Sequence, residues 1–433
     1  MTAWWAALAA PSSGGTDVPA LLLTLAAVLV ATKALGALAR RASQPAVLGE
    51  LVAGILLGGS VLGVLDPNEP VLHVLSELGV LILLFEVGLE TDLQALRRVG
   101  GAALTVGGAG IILPFAGGFA VATALGASTL TALVVAAAMT ATSIGISARV
   151  LGDLGRLKTD EGQIVLGAAV FDDVMGLVIL AVVGGVVAGQ GITALGVAST
   201  ALVAIGFVVG ALVLGAFVAP HLMAAVARVR VAGTVGVTAL VLVFVTAAVA
   251  AKVGSAMIIG AFAAGLVLHT TPQRHEIEKW VTSLGHVLVP VFFASVGAEV
   301  DLRAMLSPAA LGLGAALIVV AVVGKVIAGY APWWFRGRKL LVGVAMVPRG
   351  EVGLIFAQMG VQAGVLAGGE FGAVIAMVVV TTFLAPPLLS RIAGAPPAGR
   401  GDGDSGSGLN ELVAEGAPAA PAPRTTQARP RLG

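Results

Sequence analysis

The chain has 433 residues, of which 58% are hydrophobic and 11% charged, and its mean hydropathy is +1.04. Soluble domains carry about 25% charged residues, so this composition excludes a water-soluble globular protein. The net charge of +1 gives no reason to expect a nucleic-acid partner. The absence of cysteine excludes disulfides, iron–sulfur clusters and thiolate metal sites, and we expect no cofactor. The sequence therefore predicts a multi-pass membrane protein.

Apolar runs that can cross a bilayer, which takes roughly 20 residues each, recur along the chain. They are continuous rather than alternating, which favours helices over an outer-membrane barrel. We count thirteen, at about 18–39, 45–65, 71–90, 99–125, 128–150, 161–188, 192–220, 232–251, 254–270, 281–298, 306–334, 340–365 and 370–392. The sequence predicts an all-α polytopic membrane protein with about thirteen transmembrane helices.

Both ends of the chain differ from this pattern. Residues 1–17 lack the basic start of a secretory signal, so we expect an outer N-terminal tail. Residues 394–433 are rich in Pro, Gly, Ala and Ser. Such a segment buries too little apolar surface to offset its ordering entropy, which predicts a disordered cytoplasmic tail. The membrane domain is then 18–393.

The short loops carry their basic residues unevenly, which predicts the orientation in the membrane. Fourteen Lys or Arg residues border one set of alternate loops and two border the other. The fourteen are Arg40, Arg41, Arg97, Arg98, Arg149, Arg156, Lys158, Arg228, Arg230, Arg274, Lys279, Arg336, Arg338 and Lys339. Basic loops stay in the cytoplasm, so we expect the N-terminus outside and the C-terminus in the cytoplasm.

Five charged residues lie far from these loops. They are Asp172 and Asp173 in AAVFDDVMGLVIL, Lys325 in AVVGKVIAG, and Arg349 and Glu351 in VPRGEVGLI. A charge near the bilayer centre costs roughly 2.5–3.5 kcal/mol on insertion scales. At 1.5 Å per residue from the helix ends, all five sit roughly 16 Å deep, in one layer. A network that only fixes helix packing is the alternative, but adjacent carboxylates repel each other and serve that purpose poorly.

Two of the predicted helices are interrupted at this depth. The segment MTATSIGISARV places Thr142 and Ser143 near the middle of one helix, and Pro348 and Gly350 break another. Proline removes a backbone donor and glycine favours unwinding. Broken helices in corresponding halves of a chain indicate a transporter site. The alternative is that Pro348 only kinks its helix and that Thr142 bonds its own backbone.

Two further features have ordinary explanations. Lys33 and Glu50 lie near the predicted cytoplasmic ends of their helices, and we interpret them as side chains that snorkel to the interface. The glycine spacings 54–58 and 206–210 match a helix-contact pattern that also occurs at dimer faces.

Several long segments resemble one family in order. These are QPAVLGELVAGILLG, LGVLILLFEVGLE, TATSIGISARVLGDLG, AAVFDDVMGLVIL, PVFFASVGAEVDL and VPRGEVGLIFAQ. They resemble bacterial monovalent cation:proton antiporters of the NapA-type sodium/proton branch, which is related to the Kef potassium/proton systems. The resemblance covers about 40–395.

The resemblance implies a fold and an activity. It implies an inverted-repeat antiporter fold with two crossed broken helices, in a homodimer in the bacterial cytoplasmic membrane. A mobile core of helices at about 99–188 and 306–392 would move against a scaffold or dimerisation part made by the remainder. The activity implied is secondary exchange of sodium or lithium for protons by alternating access.

The resemblance also implies roles for individual residues. Asp173 would be the main sodium and proton site, with Asp172 as an additional sodium ligand. Asp172 would pair with Lys325, and Thr142 and Ser143 would lie near the ion.

Charges in the second broken helix would act on helix ends. Arg349 and Glu351 would offset the dipoles of the half-helices. The family associates an Asp-Asp pair with electrogenic exchange, and two acidic groups plus a lysine allow two protons to exchange for one sodium. Kef systems carry a nucleotide-binding domain after the membrane part, and its replacement here by the tail argues against nucleotide gating.

Three alternatives remain from the sequence. The same site would serve a Kef-like potassium/proton antiporter without a nucleotide-binding domain, because selectivity depends on fine site geometry. A channel would need a filter, and no such loop is evident. An intramembrane enzyme would need a nucleophile–base pair or a metal, yet the five histidines fall near helix ends or loops.

Overall fold

The computed structural model describes residues 18–91, 93–187, 194–228, 231, 233–300, 302–305 and 308–393. A few side chains within the helices, including that of Glu351, lie outside this description. The predicted tails, 1–17 and 394–433, also lie outside it. All regular secondary structure in the described ranges is helical, as the apolar runs predict.

Sixteen helices follow one another along the described chain. They are α1 (Val18–Arg41), α2 (Ala46–Leu57), α3 (Pro70–Glu90), α4 (Leu93–Ala124), α5 (Thr129–Ala138), α6 (Ile144–Asp153), α7 (Asp160–Val187), α8 (Ala194–Val226), α9 (Thr234–Lys252), α10 (Met257–His269), α11 (Arg274–Ala298), α12 (Leu302–Met305), α13 (Pro308–Ala328), α14 (Lys339–Ala345), α15 (Glu351–Gln362) and α16 (Gly368–Ala393).

Nine helices of the described chain are long and apolar enough to cross a membrane. The other four predicted runs correspond to the shorter helices α2 and α10 and to the interrupted pairs α5–α6 and α14–α15. The total of thirteen crossings therefore stays a prediction.

Two predicted runs are longer than the helices they contain. In the run 45–65 the helix ends at Leu57, because Gly58 has an extended backbone conformation. Gly63 follows with a left-handed φ of +63°. The run 306–334 ends as a helix at Ala328, four residues before Pro332. Proline disfavours the helical conformation in the residue before it, so the apolar sequence continues into a non-helical loop.

Side-chain caps occur at several helix starts in the described chain. Glu69 accepts a 2.7 Å hydrogen bond from the backbone N–H of Leu72, and Pro70 occupies the first position of α3. Ser128 accepts from the backbone N–H of Thr131 at the start of α5. These groups satisfy amides that have no partner within the helix.

The helices pack in two groups. The core group contains α4–α7 and α12–α16, and the scaffold group contains α1–α3 and α8–α11. The main contacts between the groups join α7 with α8 and α6 with α2 and α3. The division into a moving core and a dimerising scaffold stays a prediction.

Glycines allow close backbone contact inside the scaffold group. A Cβ on Gly54 would lie 2.1 Å from the carbonyl oxygen of Ala294, and one on Gly58 would also meet the backbone of α11. This glycine pair therefore joins α2 to α11 within one chain rather than forming a dimer face. A Cβ added to Gly206 or Gly210 of α8 would have no neighbouring atom of the described chain within 4 Å, so that pair makes no such contact within the chain.

Candidate ion-binding site

The two interrupted helices meet at their breaks. The backbone N–H of Ser143, between α5 and α6, donates to the carbonyl of Pro348, between α14 and α15, at 2.9 Å. The Ser147 hydroxyl donates to the carbonyl of Ala345 at 2.6 Å. Backbone groups that the breaks leave unpaired thus bond across the crossing. The crossed arrangement implied by the family resemblance is present.

Glycine is required where the two breaks touch. Gly350 is extended, with φ −140°, which any residue adopts, so its role is steric. A Cβ on Gly350 would lie 2.9 Å from both Cβ and Oγ of Ser143. A side chain here would push the two segments apart.

An ion pair lies beside this crossing. Lys325 Nζ on α13 donates to Asp172 Oδ2 on α7 at 2.7 Å, and neither side chain has any solvent exposure. Thr142 Oγ1 donates to the same carboxylate oxygen at 2.7 Å. Gly110 of α4 leaves room for the ammonium group, because a Cβ there would be 3.0 Å from Nζ. The matched depths of Asp172 and Lys325 in the sequence predict this contact.

The second oxygen of Asp172 is free to bind another group. Asp172 Oδ1 is buried and has no hydrogen-bond partner among the described residues. Lys325 and Thr142 both act on Oδ2. The carboxylate therefore keeps an acceptor available at the crossing.

Asp173 follows on the same helix and is also buried, with 7% exposure. Successive helical residues are about 100° apart around the axis, so the two carboxylates leave α7 in different directions. Val174, the next residue, packs with Ile259 of the scaffold helix α10. This part of α7 therefore lies at the boundary between the two packing groups.

Arg349 stabilises the end of the other broken helix. Its Nη1 donates to the carbonyls of Thr140 and Ala141 at 2.9 and 2.8 Å, and the side chain is fully buried. These carbonyls follow the C-terminal end of α5, where the helix dipole is negative. The Arg349 guanidinium thus comes from the break between α14 and α15, and it stabilises the end of α5, which belongs to the other interrupted helix. The predicted role of the Glu351 side chain lies outside the described part of the chain.

The sequence interpretation of Glu50 as a snorkelling side chain is wrong. Glu50 is 3% exposed on α2, and its carboxylate faces Arg149 of α6, with Oε1 and Nη2 4.0 Å apart. Arg149 also lies 3.6 Å from Asp153, one helical turn further along. The backbone of α2 lies close to α1 at this point, because a Cβ on Gly49 would lie 2.2 Å from the carbonyl of Leu35. Glycine is so frequent in this chain that Gly49 does not mark the contact in the sequence.

Comparison with known proteins identifies the family of this chain. Residues 24–394 match the family described as sodium/hydrogen exchanger, transmembrane. The chain belongs to the sodium/hydrogen exchanger family. It is therefore a multi-pass membrane protein of a family of secondary transporters, and its all-helical fold with interrupted helices is an antiporter fold.

Relatives of similar length share about a third of their residues with this exchanger. It is 38% identical over 413 residues to the high-affinity Na⁺/H⁺ antiporter NhaS3 of Synechocystis, covering 86% of this chain and 89% of the relative. It is 36% identical to the Na⁺/H⁺-K⁺ antiporter GerN of Bacillus cereus, covering 86% and 96%.

The fold is also similar to a solved structure. The sodium proton antiporter MjNhaP1 from Methanocaldococcus jannaschii at pH 8 superposes with a TM-score of 0.65 at 17% identity, covering 87% of this chain and 98% of that one. An electron-microscopy structure of the same antiporter gives a TM-score of 0.69 at 16% identity. At this identity the likeness concerns the fold alone.

Proposed function

We propose that this exchanger is a secondary active antiporter that exchanges sodium or lithium for protons by alternating access. The observation that carries the proposal is the buried Asp172–Lys325 pair beside Asp173, at the point where two interrupted helices cross. Membership of the sodium/hydrogen exchanger family supports the same activity.

The chemistry of the crossing suits competition between the two ions. Sodium is a hard cation that prefers oxygen ligands. Asp173 would supply the main carboxylate, and Thr142, Ser143 and the unwound backbone would supply further oxygens. The free Oδ1 of Asp172 would add a ligand from the ion pair. Because a carboxylate binds either a cation or a proton, one site serves both ions in turn.

We further propose that exchange is electrogenic. Sodium bound between the two carboxylates would weaken the attraction of Asp172 for Lys325. A lysine without its counter-ion in a low-dielectric site gives up its proton more readily. Asp173 and Lys325 would then each carry one proton against one sodium, so each cycle would move a net charge.

Potassium is a second candidate substrate. The relative GerN is named a Na⁺/H⁺-K⁺ antiporter, and the oxygen ligands proposed here also accept potassium. Selectivity would follow from how closely the oxygens of the two breaks approach the ion.

Ion-jump assays in proteoliposomes with a lumenal pH dye test the proposal. We expect sodium and lithium jumps to drive proton flux in the wild type and Asp173→Asn to abolish it, together with competition between sodium and protons. Asp160→Asn is the matched control, because it removes an exposed carboxylate of the same helix that pairs with Arg98. Near wild-type exchange by folded Asp173→Asn would exclude Asp173 as the carrier. A response to potassium alone would favour the second candidate.

We also propose a homodimer in the bacterial cytoplasmic membrane with the C-terminus in the cytoplasm. The unequal distribution of basic residues between alternate loops supports this orientation. Labelling of single cysteines introduced in opposite loops measures it, since the native chain has no cysteine.

A further inference from the structure

One ion pair connects the two packing groups. Arg149 belongs to α6, the half-helix that begins directly after Ser143, and Glu50 belongs to α2 of the scaffold group. The distance between Arg149 Nη2 and Glu50 Oε1 is 4.0 Å. Of the ion pairs formed between residues that the structure describes, only this one joins a core helix to a scaffold helix.

The pair is buried but incompletely bonded. The Arg149 and Glu50 side chains are 19% and 4% exposed. Glu50 Oε2 and Arg149 Nε have no hydrogen-bond partner among the described residues. The distance between the charges exceeds the hydrogen-bond range of about 2.7–3.2 Å. The attraction is therefore electrostatic, and separation breaks no hydrogen bond between the two side chains.

Each member of the pair has a second partner within its own group. Arg149 Nε lies 3.6 Å from Asp153 Oδ1, one turn further along α6. Lys33 of α1, which also belongs to the scaffold group, lies near enough to attract the Glu50 carboxylate, although the two side chains form no direct ion pair in the described structure. Breaking a buried ion pair is unfavourable mainly because it leaves a charge without a counter-charge. Here neither charge is left alone when the groups separate.

We propose that Arg149 is a positioning residue whose ion pair with Glu50 holds α6 against the scaffold in the conformation described here. The inference rests on the proposed function, because it assumes that the core group moves against the scaffold. Since α6 begins directly after Ser143, the half-helix carries one side of the ion-binding crossing with it. Release of the pair during exchange leaves Arg149 with Asp153 and Glu50 with Lys33. The pair thereby sets the equilibrium between the two alternating states.

Apparent KM values for sodium at the two membrane faces test the proposal. Weakening a contact of one state lowers its population, which raises the KM at the face to which that state opens and lowers it at the other. We expect Glu50→Gln to change the ratio of the two KM values several-fold. Arg149→Gln should change it in the same direction, and the double variant should add nothing further. Asp153→Asn should shift the ratio in the opposite direction, because Arg149 then has no counter-charge in the state in which it has left Glu50.

The control variant leaves the ion pair between Glu50 and Arg149 intact. Asp160→Asn breaks the Arg98–Asp160 pair, which lies within the core group, and should leave the ratio unchanged. An unchanged ratio in Glu50→Gln, or an equal change at both faces, would overturn the proposal. If Arg149→Gln does not fold, Glu50→Gln decides the outcome, because it keeps the shape of the side chain. Absence of sodium-driven proton flux in the wild type would instead contradict the proposed function.

Covalent linkage provides an independent measurement. The chain contains no cysteine, so a variant with Glu50→Cys and Arg149→Cys offers two unique thiols across the boundary. A cleavable bifunctional thiol reagent that bridges them should stop exchange, and reductant should restore it. Full exchange by a bridged protein would show that α6 does not leave α2 during the cycle.

Discussion

Asp172 accepts hydrogen bonds from two segments that are distant in sequence. Lys325 of α13 and Thr142 of the first break both donate to its Oδ2, at 2.7 Å each. Arg349 contacts the same break from the second interrupted helix. Asp172 and Arg349 thus each have a partner in the first break, and Lys325 has its partner on α7.

A double-mutant cycle on Asp172 and Lys325 measures their coupling. Removing one member of a buried pair commonly costs about 3–5 kcal/mol, because the other charge is stranded. We therefore expect Asp172→Asn and Lys325→Gln each to lower thermal stability, and the double variant to be less unstable than the sum of the two. Additive effects in thermal unfolding would argue against a direct pair.

The same lysine variant tests its proposed role as a proton carrier. In Lys325→Gln one of the two transported protons loses its carrier, so exchange should become less sensitive to membrane potential. Flux at imposed potassium-diffusion potentials measures this sensitivity. Unaltered voltage dependence would leave Lys325 with a structural role only.

Arg349→Gln should destabilise the first broken helix. The substitution removes hydrogen bonds from a charged group to two carbonyls at the end of α5, and such bonds are worth about 1.5–3 kcal/mol. We expect a lower unfolding temperature than in Arg98→Gln, the control, which changes an arginine with 67% side-chain exposure. Equal unfolding temperatures would show that the carbonyls need no cationic partner.

At the scale of whole elements, glycine decides how closely helices approach. Gly54 of α2 touches the backbone of α11, whereas Gly206 of α8 has open space around its missing side chain. The same glycine spacing therefore brings two helices into close contact at Gly54 and makes no helix contact within the described chain at Gly206.

Alanine substitution distinguishes the two glycine pairs. A methyl group at Gly54 would meet the carbonyl oxygen of Ala294 at 2.1 Å, and overpacking of this kind costs roughly 1–3 kcal/mol. We expect Gly54→Ala to lower the unfolding temperature and Gly206→Ala to leave it unchanged or raise it slightly, because alanine favours helix. Loss of stability in Gly206→Ala alone would reverse this assignment and implicate α8 in contact with another chain.

For the whole molecule, the family match ends at residue 394. We expect a variant that lacks residues 400–433 to exchange ions at the wild-type rate, because that segment has too little apolar content to add to the membrane domain. Proteoliposome flux over a range of pH values measures the effect. Lost activity or a changed pH response in the shortened protein would show that the tail regulates exchange.

The sequence alone determined the class of fold and the depth of the charged residues. Apolar runs must form helices in a bilayer, because unpaired backbone groups cannot be solvated there. Buried charges in such runs are costly enough to identify a site. Asp172, Lys325 and Arg349 were therefore recognisable from their distance to the loops, and the breaks from Pro348 and the cluster at Thr142.

Only the tertiary structure decided which groups meet. The sequence places Arg349 only at a certain depth in the membrane. The packing of α5 against α15 brings its side chain to the carbonyls of Thr140 and Ala141. The pairing of Glu50 with Arg149 was hidden for the same reason, since each residue alone resembles a side chain near a helix end. Which face of a helix meets which neighbour depends on contacts between segments far apart in the chain. Local patterns of hydropathy and charge give the depth of a residue, and they suggest a partner only where two opposite charges share that depth.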